Sequence, residues 1–483
     1  MSRRRQAAGA KGLRGPMMWV AADSALSFLS AMAIAFLVAP IIGPVAFGMA
    51  GSAYLLVTFA EAFIGIPIGE ALIQRTHYSN SARDTGFTLM MGLGIALFAV
   101  MVLAAPLVAD FFGAEEIRNL VYVQALTCPL LALRGVPEAI MARKLRFRSL
   151  AIRNSAAKLV SVVVALALAF AGWGAWAVIV SNVSFALVST VLVLMITPRI
   201  PRLRFSAQEA RSLSSFAGLS LTENVMWVAT PRVFAFLIGR FQGLEALGLI
   251  NIAFRINDAL VAVVSALTSR VALPILSRAR DDADRMKRAF LKGTELCSML
   301  SLPIFTGLAL VSGDVVLLVM GPEWERAGIA LMAVSLFSTV NFAMTLTQPS
   351  MKAVGRPDLL VWLRVVGLTY IGTSMWFLAD ASFFEQLMVW ACFGILHLAE
   401  TLALVRLALG IAVVRQVGAL ARPVIAALVM AAVTAVLQGW AQDVVLILRL
   451  GIAVVGGAAA YALISIAINR KLLAEIVNSG PSR

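Results

Sequence analysis

The sequence predicts an all-α integral membrane protein with about fourteen transmembrane helices, arranged as two pseudo-symmetric six-helix lobes plus two C-terminal helices. Three observations carry this. Of 483 residues, 61% are hydrophobic and only 13% charged, whereas soluble domains run nearer half apolar and a quarter charged. The apolar residues fall in runs long enough to cross a bilayer as helices, about 20 residues each. The basic residues collect in alternate connections between those runs.

The runs set the elements in order. They lie at about 17–40, 46–69, 86–109, 117–141, 151–171, 173–197, 212–239, 244–272, 287–311, 327–350, 359–379, 386–408, 420–440 and 443–467. No segments of alternating hydrophobicity suggest barrel strands, and a helix satisfies its own backbone in lipid. The chain divides into a basic tail (1–16), an N-lobe (17–200), a C-lobe (201–410), two extra helices (411–470) and a short tail (471–483). The first run, from Met17, is long enough to span and is read as a retained helix behind Arg3, Arg4 and Arg5, not as a cleaved signal.

Charge sorting tests the count. The formal net charge is +15, from 40 basic and 25 acidic residues, a balance that in a soluble protein would suggest a nucleic-acid partner. Here thirty of the 40 basic residues fall in the tails and alternate connections, among them Arg75, Arg83, Arg143, Lys144, Arg146, Arg148, Arg153 and Arg199. Only Arg118, Arg240, Arg326 and Arg449 fall on the other side. Basic loops stay in the cytoplasm, so both termini are expected there, and no nucleic-acid partner is expected. No connection exceeds about 20 residues, which leaves no room for a soluble catalytic domain.

The inventory excludes much chemistry. Cys128, Cys297 and Cys392 are far apart, and His77 and His397 are the only histidines. That gives no zinc spacing, and neither a Walker loop nor a dinucleotide fingerprint occurs. No cofactor or metal is expected, and the protein is read as a transporter rather than an enzyme.

An internal repeat appears at an offset of 200. Phe36 to Tyr54 reads FLVAPIIGPVAFGMAGSAY, and Phe236 to Phe254 reads FLIGRFQGLEALGLINIAF. Without a gap, Gly43 aligns with Gly243, Ala46 with Ala246, Gly48 with Gly248 and Ala53 with Ala253. Glycines there permit tight turns and close helix contact. A weaker echo pairs Gly113-Ala114-Glu115 with Gly321-Pro322-Glu323. Parallel repeats of this kind place a substrate between two lobes.

Ionisable residues at membrane depth mark cavities or partners. Spans 1 and 2 carry Asp23 and Glu61; spans 7 and 8 carry Glu223, Arg232, Arg255 and Asp258. Asp23, Ser27 and Ser30 share one helical face, as do Tyr54, Thr58, Glu61 and Gly65, and Asn251, Arg255 and Asp258. These stripes read as cavity linings, although Arg255 and Asp258 could also neutralise each other. Arg134 and Glu138 read as a local pair. Lys158, Glu70, Arg270, Glu295 and Arg364 read as snorkelling near cytoplasmic ends. His397 and Glu400 read as a helix contact or a proton site. Trp173, Trp176 and Trp324 read as an outer aromatic belt, and the run Arg143 to Arg148 as a strip along the anionic inner leaflet.

Several segments in this order are familiar: Glu70-Ala71-Leu72-Ile73-Gln74-Arg75, the run Ala142 to Ala151, Ala171-Gly172-Trp173-Gly174-Ala175-Trp176-Ala177, Ala272-Leu273-Pro274, Gly321-Pro322-Glu323-Trp324 and Gly355-Arg356-Pro357. Together, from about residue 15 to 410, the chain resembles oligosaccharide flippases of the multidrug/oligosaccharidyl-lipid/polysaccharide exporter superfamily. The resemblance implies a MATE-like fold with a V-shaped central cavity. It implies movement of undecaprenyl-pyrophosphate-linked repeat units to the outer leaflet by alternating access, for exopolysaccharide or O-antigen assembly. A polysaccharide polymerase and a chain-length regulator would be partners. Arg255, then Arg232, would meet the pyrophosphate, with Asp258 and Asn251 beside them. Asp23, Glu61 and Glu223 would be cavity acids or carry a coupling H+ or Na+. Four acids against two bases in spans 1, 2, 7 and 8 is a departure from a pyrophosphate site. It keeps a multidrug or small-cation antiporter as an alternative, a lipid II flippase of the same fold is another, and a glycan polymerase or ligase would need a larger outer loop.

Overall fold

In the computed structural model the described residues are 18–19, 21–65, 69, 72, 79–197, 199–277 and 282–468, and they contain no strand. The two terminal tails, Glu70, Arg75 and His77 lie outside them, and the side chain of Arg270 is likewise not described. Among the described residues, twelve helical stretches are long and apolar enough to cross a membrane. They are α1 (Ala21–Ile64), α2 (Asn80–Phe112), α3 (Glu116–Arg143), α4 (Phe147–Phe170), α5 (Ala175–Ile196) and α6 (Val225–Thr268). Then follow α7 (Ala283–Met320), α8 (Pro322–Ala353), α9 (Asp358–Phe377), α10 (Phe383–Leu409), α11 (Val413–Trp440) and α12 (Leu446–Ile468).

Two of these, α1 and α6, are each 44 residues long. At 1.5 Å per residue that is about 66 Å, twice the hydrocarbon thickness. Both are broken at repeat-related glycines. Gly43 has φ 78° and ψ 164°; Gly243 has φ 85° and ψ −179°. A side chain is strained at such φ values, so glycine is the residue the break requires. The internal repeat is thus visible as the same backbone conformation 200 residues apart.

The exterior suits lipid rather than water. Leu103, Leu107, Phe170, Trp376, Phe377 and Trp440 all stand exposed, an apolar surface far beyond that of a soluble monomer. The interior is built from small residues where helices meet. A Cβ on Gly94 of α2 would stand 3.0 Å from the Cys128 carbonyl oxygen of α3, and the Thr190 hydroxyl of α5 donates to the Leu130 carbonyl at 3.1 Å.

By packing, the chain divides into two compact units, Met1–Asn251 and Ile252–Arg483. In the first, the α2 end meets α6 through an aromatic group. Phe111 stacks on Phe236 at 4.4 Å between ring centroids, and the Arg240 guanidinium lies 5.4 Å from the Phe111 ring. In the second, α11 and α12 pack on α7. Arg449 pairs with Asp314, and the Tyr461 hydroxyl donates to the Met299 carbonyl at 2.8 Å. These two helices looked unmarked in sequence because their anchoring partners lie more than a hundred residues away.

Trp324 corrects an expectation. It is fully buried at the start of α8, in the 3-10 turn Pro322–Trp324, and does not belong to an aromatic belt. Trp173 stands exposed between α4 and α5, as an interfacial residue would.

Candidate functional site

The first unit holds a continuous chain of polar side chains inside apolar helices. It begins on α1, where Asp23 and Ser27, four residues apart, face the same neighbour. Lys158 of α4 pairs with the Asp23 carboxylate at 3.0 Å and also donates to the Ser27 hydroxyl. Asn154, one turn before Lys158, donates to the other Asp23 oxygen at 3.1 Å. Arg153 donates to the Asn154 side-chain oxygen at 2.5 Å and to Glu138 of α3 at 2.6 Å. Glu138 also meets Arg134 one turn earlier at 3.3 Å. Arg134 in turn donates to Ser189 of α5 at 2.5 Å and lies 5.5 Å from the Phe185 ring. Glu61 of α1 interacts electrostatically with Arg134 and with Arg232 of α6.

Each link is charge-assisted, and such bonds are the strong ones in a low-dielectric interior. The geometry also corrects two sequence readings. Lys158 is 18% exposed and held by Asp23, so it does not snorkel. Arg153, assigned to a cytoplasmic connection, is 5% exposed within α4. Helices outside spans 1, 2, 7 and 8 contribute bases that the sequence count did not include: Arg134, Arg153 and Lys158 stand beside Asp23 and Glu138. The Arg134–Glu138 pair forms as expected but is a link in the chain.

The remaining predicted residues are distributed as follows. Glu223 is buried. Arg232, Asn251 and Arg255 are half-buried and Asp258 is exposed. Arg255 and Asp258 belong to the second unit, the others to the first. The structure therefore brings Asp23 to Lys158 and sets Glu61 in the electrostatic field of Arg134 and Arg232. The Asn251 side-chain amide lies over Gly51, where a Cβ would meet it.

Close by is a reciprocal contact. A Cβ on Gly48 would overlap the Leu244 carbonyl, standing 2.9 Å from its carbon, and a Cβ on Gly248 would stand 2.9 Å from the Pro44 carbonyl carbon. Residues 44 and 48 thus meet 244 and 248 in a self-complementary way. The contact is reciprocal, each glycine meeting the segment that the sequence repeat relates to its own.

The second unit contains a smaller polar group. Arg364 of α9, 7% exposed, interacts electrostatically with His397 and Glu400 of α10. This corrects the reading of Arg364 as snorkelling. The His397 ring lies 5.7 Å from Phe337 and 5.9 Å from Phe393, and its Nδ1 has no hydrogen-bond partner among the described residues. Glu295, also read as snorkelling, pairs with Arg422 at 3.3 Å. Among the described residues no three metal-ligating side chains cluster, and the three cysteines are free.

A family model described as polysaccharide biosynthesis protein matches residues 37–328, more than half of the chain. The chain is similar to the succinoglycan biosynthesis transport protein ExoT of Rhizobium meliloti, 27% identical over 368 residues, covering 74% of this chain and 72% of that protein. It is similar to the teichuronic acid biosynthesis protein TuaB of Bacillus subtilis, 25% identical, covering 66% of each. It is also similar to the lipopolysaccharide biosynthesis protein WzxC of Escherichia coli, 21% identical, covering 58% of this chain and 57% of that one. Among solved structures, the lipid II flippase MurJ in an inward closed conformation matches with TM-score 0.71 at 13% identity, covering 95% of this chain and all of that one. An inward-facing MATE multidrug transporter matches with TM-score 0.60 at 13% identity, covering 83% and 94%. The structural likenesses establish the fold shared by these transporters. The family match over more than half of its length makes this chain a member of the polysaccharide biosynthesis protein family.

Proposed function

We propose that the chain moves undecaprenyl-pyrophosphate-linked oligosaccharide repeat units from the inner to the outer leaflet of a bacterial cytoplasmic membrane, by alternating access, for surface polysaccharide assembly. The observation that carries this is the ionic chain of the first unit. Four bases and three acids sit within apolar helices, where each charge is costly unless it serves a partner. A net positive group suits a diphosphate, and guanidinium forks match its oxygens in pairs. In the resting protein the carboxylates of Asp23, Glu61 and Glu138 hold these cations in place. An arriving pyrophosphate competes with those carboxylates for the same donors. Binding then costs little desolvation, because the cations are already out of water. Arg232 and Arg255 are the proposed phosphate contacts, with Asn251 and Asp258 toward the glycan.

Released carboxylates become sites for a coupling H+ or Na+, a role proposed for Asp23, Glu61 and Glu223. The bases that α3 and α4 bring beside Asp23 and Glu138 weigh against a cationic-drug exporter. The family match supports a glycan cargo over lipid II. No bond is made or broken in this cycle, so the chain acts as a transporter and not an enzyme. We also propose fourteen crossings with both termini cytoplasmic, since the 44-residue helices α1 and α6 each have length for two and break near the middle. A polymerase and a chain-length regulator remain proposed partners.

The test is in cells of the source organism. Deleting the chain should abolish surface polymer and accumulate lipid-linked repeat units, and re-supply should restore export. Re-supply of Arg255→Ala or Arg232→Ala should not, with normal amounts of protein in the membrane. Unchanged polymer after deletion would overturn the assignment, and normal polymer from both variants would remove these arginines from it.

A further inference from the structure

Between α5 and the helix Ala207–Ser277 that contains α6 runs an irregular segment, residues 199–206, that the transport reading does not use. Its sequence, Arg199-Ile200-Pro201-Arg202-Leu203-Arg204-Phe205-Ser206, interleaves bases with large apolar residues. Pro201 is buried, whereas all three arginines are exposed, and so are Ile200 (54%), Leu203 (70%) and Phe205 (63%). The segment is not loose. The Arg202 amide donates to the Asp84 carboxylate at 3.2 Å, the Ser206 amide donates to the Thr85 hydroxyl at 3.1 Å, and the Thr88 hydroxyl donates to the Arg204 carbonyl at 2.9 Å. Asp84 is itself buried and fixed by Arg83 at 2.7 Å. One turn of α2 therefore holds the backbone of the strap in register and leaves its side chains outward. Among the described residues no carboxylate pairs with the guanidinium of Arg199, Arg202 or Arg204.

Position narrows what covers it. α5 has 22 residues, about 33 Å of helix, which matches a hydrocarbon core of about 30 Å. The strap starts three residues after α5 ends, at headgroup depth. Exposed Leu and Phe need an apolar phase, and unpaired guanidinium groups need anionic oxygen; both are found within a few ångströms at the surface of an anionic leaflet. We propose that residues 199–206 form an interfacial strap that binds anionic phospholipid, with Arg199, Arg202 and Arg204 on headgroup phosphates and Ile200, Leu203 and Phe205 among the upper acyl chains. The proposal needs the membrane-spanning fold but not the glycan cargo. It gives the connection after α5 a lipid requirement of its own.

The test uses the full chain in nanodiscs, on a Cys392→Ser background because Cys128 and Cys297 are buried. Nitroxide labels are placed singly at 202, 203, 204 and 205, and their collisions with oxygen and with a water-soluble nickel chelate are compared. In phosphatidylglycerol/phosphatidylethanolamine discs, labels at 203 and 205 should be oxygen-accessible and shielded from nickel, and those at 202 and 204 should be shallower. In phosphatidylcholine discs the labels at 203 and 205 should become shallower. The triple change Arg199→Gln, Arg202→Gln and Arg204→Gln should do the same in anionic discs. It should also lower co-purified phosphatidylglycerol, at about fivefold in affinity per arginine. A label on lipid-facing Leu103 should stay oxygen-accessible throughout, reporting a folded chain. Full nickel access at 203 and 205 in anionic discs would make the strap a hydrated linker and overturn the proposal. Shielding from both reagents would mean a protein cover, and equal depth in both lipids would mean no recognition of anionic headgroups; either result overturns it too.

Discussion

Substituting Gly48 or Gly248 by alanine adds one carbon at the point where two backbones touch. A Cβ at either position stands 2.9 Å from a facing carbonyl carbon and closer still to its oxygen. Ordinary van der Waals separation is about 3.5–4.0 Å, so the helices must part by roughly 1 Å. The obstacle is backbone, and no side chain can rotate away. The cost should therefore reach the upper end of the overpacking range, about 3 kcal/mol for each single variant. Parting the segments relieves both overlaps at once, because each glycine meets the partner segment of the other. The double variant should thus cost well under the sum, with a coupling of about 1–3 kcal/mol, as expected for residues in contact. Thermal unfolding of the full chain in detergent, followed by loss of the monodisperse species, gives the ranking. Gly92→Ala is the control, since nothing lies within 4 Å of a Cβ there, and it should be neutral or slightly stabilising. If Gly48→Ala and Gly248→Ala matched that control, or their effects simply added, the reciprocal contact would be refuted.

Further outcomes follow from the ionic chain and from the topology. Lys158→Met should destabilise by about 1–3 kcal/mol, below the 3–5 expected of a fully buried pair because Lys158 and Asp23 are 18% and 25% exposed. The swap Asp23→Lys with Lys158→Asp should recover part of that loss, and no recovery would mean that the pair is not coupled. Cysteines placed at 145 and 114, flanking α3, should be labelled from opposite faces of the membrane. Labelling of both from outside would break the topology.

The sequence exposed what depends on one helix at a time. Apolar length and basic loops mark the spans, and the four-three spacing of Asp23, Ser27 and Ser30 set two of those residues on the face that meets Lys158. The glycine register at 43 and 243 was legible because a positive φ leaves a residue-type signature, whereas the meeting of Gly48 with Gly248 across the repeat was not. Pairings between helices were not legible. Asp23 and Lys158 are 135 residues apart, and no spacing rule connects α1 with α4. Lys158 and Arg153 looked like cytoplasmic charges because they follow a basic run, yet one more turn of helix carries them into the packed interior. Trp324 misled for a related reason: its position beside a span suggested an interface, while the 3-10 turn folds its ring inward.

The central claim is movement of a lipid-linked glycan across the bilayer, and it can be measured directly. Purified full chain is reconstituted in vesicles holding a polyprenyl-pyrophosphate oligosaccharide with a nitrobenzoxadiazole group on the sugar, and dithionite is added outside. Without protein, only the outer-leaflet half of the fluorescence should be lost, since the headgroup cannot cross unaided. With the chain, nearly all of it should be lost, and Arg232→Ala or Lys158→Met should slow the second half. Bleaching that stops at the same half with and without the chain, under every ion gradient tried and with the protein shown to be folded, would contradict the account.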